Sequence, residues 1–226
     1  MRTVFDHLVV AAARLDEGAA WVRERLGVEM NPGGRHPRMG THNRLLRVGP
    51  GRYMEVIAVD PDAPAPDRPR WFGLDEPALQ ARLAREPQIV GWVARTPDIA
   101  CATAGSSTPF GAVEPMTRGV LCWRITIPAD GVPLEGGALP SLIEWPADRP
   151  HPAESLPDLG CRLARIDIGH PDPARIAGAL ATVGFDDEGG LVRIVEAPRI
   201  GFTALIETPQ GLRRLASGEE LGGSPA

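Results

Sequence analysis

The chain has 226 residues, enough to bury a sizeable core in one large domain or two small ones, and its 43% hydrophobic and 23% charged content is that of a globular protein. A net charge of −5 with scattered Lys and Arg argues against nucleic acid as the main partner, and no apolar run approaches the roughly 20 residues that span a bilayer. The cysteines Cys101, Cys122 and Cys161 form no C-x-x-C pair and read as reduced thiols of a cytoplasmic protein, in keeping with an N-terminus that enters a strand pattern without a signal-peptide layout.

The first stretch, TVFDHLVV, alternates as a strand. Phe5, His7 and Val9 fall on one face, and Val4, Leu8 and Val10 on the other, with Asp6 near the start of that second face. Residues 15–26 space Leu15, Ala19, Val22 and Leu26 for one helical face, and Gly27 suits the stop. The helix covers one face of a sheet, so the other lines a cavity, meets a partner or meets another sheet. Residues 31–43 read as a polar loop carrying His36 and His42 among Gly33, Gly34 and Gly40. A hairpin follows over 44–60, turning at Pro50 and Gly51. Tyr53, Glu55, Ile57 and Val59 share one face of its second strand, and a carboxylate among apolar neighbours is the informative residue.

Residues 61–70 are rich in proline, and a helical pattern runs over 76–85. From Gln88 the order of strand, short helix and strands repeats, in IVGWVART, PDIACATA, GVLCWRITIP and ALPSLIEWP. His7 to Glu55 spans 55 − 7 = 48 residues, and Trp92 to Glu144 spans 144 − 92 = 52, so the layouts match although the residues differ. A third, shorter unit follows, and LIEWP is echoed there by LIETP. The expected division is a first βαβββ module over 1–60, a linker with a helix over 61–87, a second βαβββ module over 88–146, a βαββ unit over 147–215 and a disordered tail over 216–226.

Paired strand–helix–hairpin units, with His in the first strand and Glu in the last, resemble the vicinal oxygen chelate superfamily of glyoxalase I, extradiol dioxygenases and bleomycin-resistance proteins. DHLVV, GGRHPRMGTHN and RYMEVIAVD look like its glyoxalase-like domain subgroup. The resemblance implies an α+β fold: tandem βαβββ modules form cupped mixed β-sheets with helices on the outer face, joined here by a third βαββ unit. It implies four metal-ligand positions, which fall on His7, Glu55, Trp92 and Glu144. Trp92 cannot ligate, so His7, Glu55 and Glu144 are left to hold one divalent ion (Zn, Ni, Mn, Fe or Co), or none is bound.

The implied function is a glyoxalase-like lyase, isomerase or dioxygenase-like enzyme acting on a small polar or anionic compound in the cup. Glu55 or Glu144 would take a proton next to a carbonyl, or a metal would chelate vicinal oxygens. The alternatives are a metal-free binder that sequesters a compound, and a structural homodimer module with a filled cup. His7 and Glu55 are then ligands or a base with its partner, or else a self-satisfied buried pair. His36, His42 and Asn43 orient a ligand at the rim or serve turn chemistry. Arg124 binds an anionic oxygen or pairs with Glu144, and Trp92 stacks on a planar substrate or packs the core. No serine has a G-x-S-x-G setting, VGPGR is a turn and no Cys/His cluster has zinc spacing.

Overall fold

In the computed structural model of the protein, residues 2–217 are described. The first module is β1 (Val4–Ala11), α1 (Leu15–Leu26), β2 (Asn31–His36), β3 (Thr41–Arg47) and β4 (Tyr53–Val59). A connector with a 3-10 turn at Trp71–Gly73 and helix α2 (Pro77–Leu83) leads to the second module. That module is β5 (Gln88–Arg95), α3 (Ile99–Ala104), β6 (Ala112–Arg118), β7 (Leu121–Ile127) and β8 (Ser141–Glu144). The third unit is β9 (Arg162–His170), α4 (Pro173–Thr182), β10 (Val192–Glu196), β11 (Gly201–Thr208) and β12 (Gly211–Ser217).

The two modules form one eight-stranded sheet in the order β2-β3-β4-β1-β5-β8-β7-β6. In each, the first strand runs parallel to the last, and β1 and β5 join the modules antiparallel. The sheet curls until its outer strands meet. Arg38, after β2, reaches Glu114 at 2.5 Å and the carbonyl of Pro115 at 2.8 Å, both on β6. Gly34 lets the seam close tightly: a Cβ there would stand 2.6 Å from Arg118 Cδ, so the Arg118 side chain would have to shift.

Helix α1 has Asp16 and Glu17 in its first turn, Arg23 and Arg25 in its last, and stops at Gly27 with φ 72°. It lies so close to β4 that a Cβ on Gly18 would come within 2.4 Å of Val56 Cγ1. The outer core it covers includes Phe5, Leu8, Val10, Trp21, Val22 and Leu26. The third unit packs onto the same core through Leu163, Ile166, Ile168, Phe202, Ala204 and Ile206.

The pairing of β1 corrects the simple alternation expected for it. Phe5 pairs with Ala94 and His7 with Val93, so Asp6 is an extra residue, a β-bulge. The bulge leaves Phe5 in the outer core with Leu8 and Val10, while His7 lines the cup and Val9 and Ala11 pack in the cup-side core. A second shift, between the pairs Val9–Gly91 and Val10–Ile89, falls at Val90. Around it Trp92 turns to the outer core and Val93 to the cup side.

The expected loop over 31–43 is instead strand β2, a 3-10 turn at Pro37–Met39 and the start of β3. The third unit has four strands, not three, in the order β10-β9-β11-β12. Its last strand, GLRRLAS, carries exposed Leu212, Arg213 and Arg214 along a sheet edge, a composition that hides a strand. Ala216 and Ser217, expected in the disordered tail, end β12; the rest of that tail, 218–226, lies outside the described residues. No helix among the described residues is long and apolar enough to cross a membrane.

Candidate functional site

The bulge at Asp6 sets the local chemistry of the cup. Asp6 is fully buried, and its Oδ1 lies 2.7 Å from His7 Nδ1. Its Oδ2 takes Trp145 Nε1 at 3.1 Å and lies 2.9 Å from His151 Nε2, with Arg95 Nη1 at 3.7 Å. Burial by itself pushes a carboxyl up, but the hydrogen bonds from His151 and His7 outweigh it and hold Asp6 well below the usual carboxylate range. An ionised Asp6 fixes the His7 ring with Nδ1–H as donor and turns Nε2 toward the cavity. Tyr53 stacks on that ring, with centroids 4.4 Å apart. Burial, then the charges of Asp6 and Glu55, push the Tyr53 phenol well above its ordinary value, so it stays protonated.

Parallel pairing of β1 with β4 sets His7 against Tyr53 and Val9 against Glu55. Glu55 Oε2 thereby comes 3.7 Å from His7 Nε2. Asn43, next door on β3, donates Nδ2–H to Glu55 Oε1 at 2.5 Å. The amide is oriented by its other end, where Oδ1 accepts from Gly34 N at 2.7 Å and from Arg118 Nη1 at 3.0 Å. His36 Nε2 stands 3.5 Å from Asn43 Nδ2, and Nδ1 stands 3.1 Å from Thr41 Oγ1. Burial, then the nearby Arg118 guanidinium, lower the His36 pKa to about 3, so its ring is neutral. Trp71 closes over this ring edge-on at 5.1 Å and donates its indole N–H to Thr41 Oγ1.

The cavity left among these groups is small, about 30 Å³, with His7, Glu55, Asn43 and Arg118 as its polar lining and Trp71 and Trp123 among its walls. That is room for about one water molecule. A ligand of several atoms fits only when a covering side chain moves.

The structure brings His7, Glu55, Asn43 and His36 together and leaves the other four expected residues out. His42, half-buried, lies on the side of β3 opposite Asn43. Trp92 lies in the outer core, stacked on Phe5 and donating its indole N–H to the carbonyl of Ala138. Glu144 and Arg124 point away from the cup, because their neighbours Ile143, Trp123 and Ile125 take the inward positions. Arg124 grips both oxygens of Glu144, at 2.5 and 2.6 Å, and Glu144 Oε2 also accepts from Ile99 N at the start of α3. The alternation of β7 is as read, but the face taken for plain core is the cup lining.

Asp6, Arg118, Trp71, Trp145 and His151 were not singled out by sequence reasoning. Asp6 gave a signal, a second ionisable residue beside His7 in an apolar strand. The others come from the connectors and an edge strand, where sequence pattern carries little about contacts.

The donor set does not fit a metal site of the kind the sequence suggests. Among the described residues no cluster of three His, Cys, Asp or Glu could hold an ion. His7 and Glu55 offer two donors, Glu144 is committed elsewhere, and the second module presents Val93, Ile125 and Ile143 toward them. A protein-held divalent ion takes three or four donors, so no step is routed through one.

A family model described as a glyoxalase-like domain matches residues 5–184. Among solved structures, a hypothetical protein from Staphylococcus aureus is similar in fold, with 14% identity over 88% of each chain and a TM-score of 0.60. A variant of methylmalonyl-CoA epimerase from Streptomyces coelicolor, in complex with 2-nitronate-propionyl-CoA, has 19% identity over 65% of this chain and 96% of its own, with a TM-score of 0.41. The methylmalonyl-CoA epimerase from Mycobacterium tuberculosis has 22% identity over 63% and 87%, with a TM-score of 0.39. No curated relative matches the chain.

Proposed function

Since the chain belongs to the glyoxalase-like domain family of the vicinal oxygen chelate superfamily, we propose that its cup is an active site that moves a proton on the carbon next to a carbonyl. The substrate is a small polar or anionic compound, and the reaction is of the isomerase or lyase kind. The observation that carries this reading is the buried line Asp6–His7–Glu55, which ends at a cavity faced by Arg118.

In this reading Glu55 is the base. Its Oε1 is held by Asn43, and Oε2 takes the proton from the substrate carbon. The electron pair of the broken C–H bond forms a C=C bond, and the carbonyl π pair moves onto oxygen to give an enolate. Arg118, on the cavity wall, offsets that charge. His7 accepts or returns the proton through Nε2, and Asp6 is a positioning residue that holds its ring. Trp71, Trp123 and Trp145 keep bulk water out. The proton returns to the same or a neighbouring carbon, or a leaving group departs from the enolate.

The test is deuterium uptake from D2O into a panel of 2-oxo acids, followed by proton NMR. Uptake by wild-type protein that falls in Glu55→Gln supports the reading. No uptake with any acid contradicts it. One observation favours the structural-module reading instead: a cup with about 30 Å³ of space whose lining carboxylate, Glu55, is already hydrogen-bonded by Asn43. In that case Glu55→Gln alters stability alone.

A further inference from the structure

A larger hollow, about 480 Å³, lies beside the cup, between the connector, β5 and the third unit. Its volume is that of pockets that take small organic ligands. Its walls are mainly apolar, with Leu79, Val90, Ile200 and Phe202 among them, and exposed Glu76 and Arg82 mark its mouth. It shares one residue with the cup. Phe72 lines both hollows, so it is part of the partition between them. Phe72 also has φ 59° and ψ 21°, a backbone conformation that a non-glycine residue adopts only at a cost, and Gly73 follows with φ 67°. Val90 packs in the same apolar cluster as Val93, which pairs with His7. Three residues of strand place the hollow about 10 Å from the level of His7.

We propose that this hollow is the second half of the substrate site, and that Phe72 is the gate between the halves. The inference rests on the cup acting on the carbon beside a carbonyl, and it names the substrate class: an elongated carbonyl compound with an apolar body. The body occupies the hollow, and the reactive head passes Phe72 to reach Glu55. This accounts for a cup too small for a whole substrate beside an apolar space that no packing residue fills. A chain entering the hollow gains up to about fourfold in affinity per buried methylene.

The probes are 2-oxobutanoate, 2-oxodecanoate and decanoate, each added to the full-length protein. Calorimetry gives affinity, and NMR in D2O gives exchange at the carbon beside the carbonyl. Wild-type protein binds 2-oxodecanoate at least tenfold more tightly than 2-oxobutanoate, and it binds decanoate as well. Ile200→Trp and, as a second variant in case the first misfolds, Val132→Trp, on the β7–β8 connection that also lines the hollow, fill it. Each removes the chain-length preference, bringing the affinity for 2-oxodecanoate down to that for 2-oxobutanoate. Equal affinity for long and short acids, or a preference that both tryptophan variants retain, overturns the proposal. Phe72→Gly, which suits the observed φ, speeds association of 2-oxodecanoate several-fold, and an unchanged rate overturns the gate. If no acid exchanges deuterium yet the chain-length preference is present and lost on filling, the hollow stands and the cup chemistry falls.

Discussion

Asp6 and His7 are neighbours in one strand, yet their side chains hydrogen-bond to each other, with Asp6 Oδ1 2.7 Å from His7 Nδ1. A regular strand would send them to opposite faces; the bulge at Asp6 permits the contact. Asp6→Asn keeps the shape and removes the charge that orients both His7 and His151. Breaking a buried pair of this kind costs about 3–5 kcal/mol, measurable by urea unfolding at pH 7. The folded-state pKa of Asp6 is depressed, so its contribution is present above the unfolded value of about 4 and is lost as pH falls through the range below it. Asp6→Asn therefore flattens the acid limb of the wild-type curve below about pH 4.

His36 gives a separate pH window. Its folded pKa is lowered to about 3 from the ordinary histidine value of 6.5, so between these values the unfolded chain binds a proton that the folded one does not. Stability due to this residue is full above pH 6.5 and falls as the medium is acidified, by up to about 1.4 kcal/mol per pH unit. His36→Gln removes that slope. Urea midpoints between pH 6.5 and 4.5 lie above the range in which Asp6 titrates, so they isolate the effect; a slope identical in wild type and variant would show that His36 does not cause it.

Glu144 serves the fold in this account. Glu144→Gln loses the grip of Arg124 and weakens the hold on the first N–H of α3, but leaves the cup intact. With Arg124 partly exposed, the cost is about 1 kcal/mol, or a fall in Tm of about 2–4 °C. Deuterium exchange in the panel stays within about twofold of wild type, whereas a large loss of exchange would place Glu144 in the chemistry.

Much of this was legible in the sequence, for identifiable reasons. The strand–helix–hairpin order shows because α1 and β4 have clear periods and Gly27 and Pro50–Gly51 punctuate them. His7 and Glu55 show because ionisable residues amid apolar ones are costly and therefore informative. Trp92 was misplaced because the irregularity at Val90 shifts its facing, and bulges leave no mark on period-two alternation. For Arg124 the pairing with Glu144 was one of two readings and is the one found; the choice was not legible because two apolar faces look alike in sequence, and only the curl of the sheet says which one is the cup. Trp71 and His151 reach the cup from proline-rich connectors, whose path follows from tertiary contacts rather than local pattern.

The two-donor geometry of His7 and Glu55 makes a prediction about divalent ions. A site with a Kd of about 1 μM would add about 2.7 kcal/mol at about 100 μM metal. Thermal unfolding with Zn, Ni, Mn, Fe or Co ions at that concentration is expected to give no stabilisation that depends on His7. A rise in Tm seen in wild type and lost in His7→Ala would show that the cup recruits an ion after all.

The central claim is that Asp6, His7 and Glu55 act as one proton-handling unit, and a double-mutant cycle on the exchange rate tests it most directly. Deuterium uptake into the best acid of the panel is compared in wild type, Asp6→Asn, Glu55→Gln and the double variant, each verified as folded by circular dichroism. General acid–base groups contribute about 10²–10⁴-fold, so Glu55→Gln alone should fall by that order. If the residues form a unit, the double variant is scarcely slower than Glu55→Gln. Two losses that multiply independently, or an exchange rate unaffected by Glu55→Gln, would contradict the account.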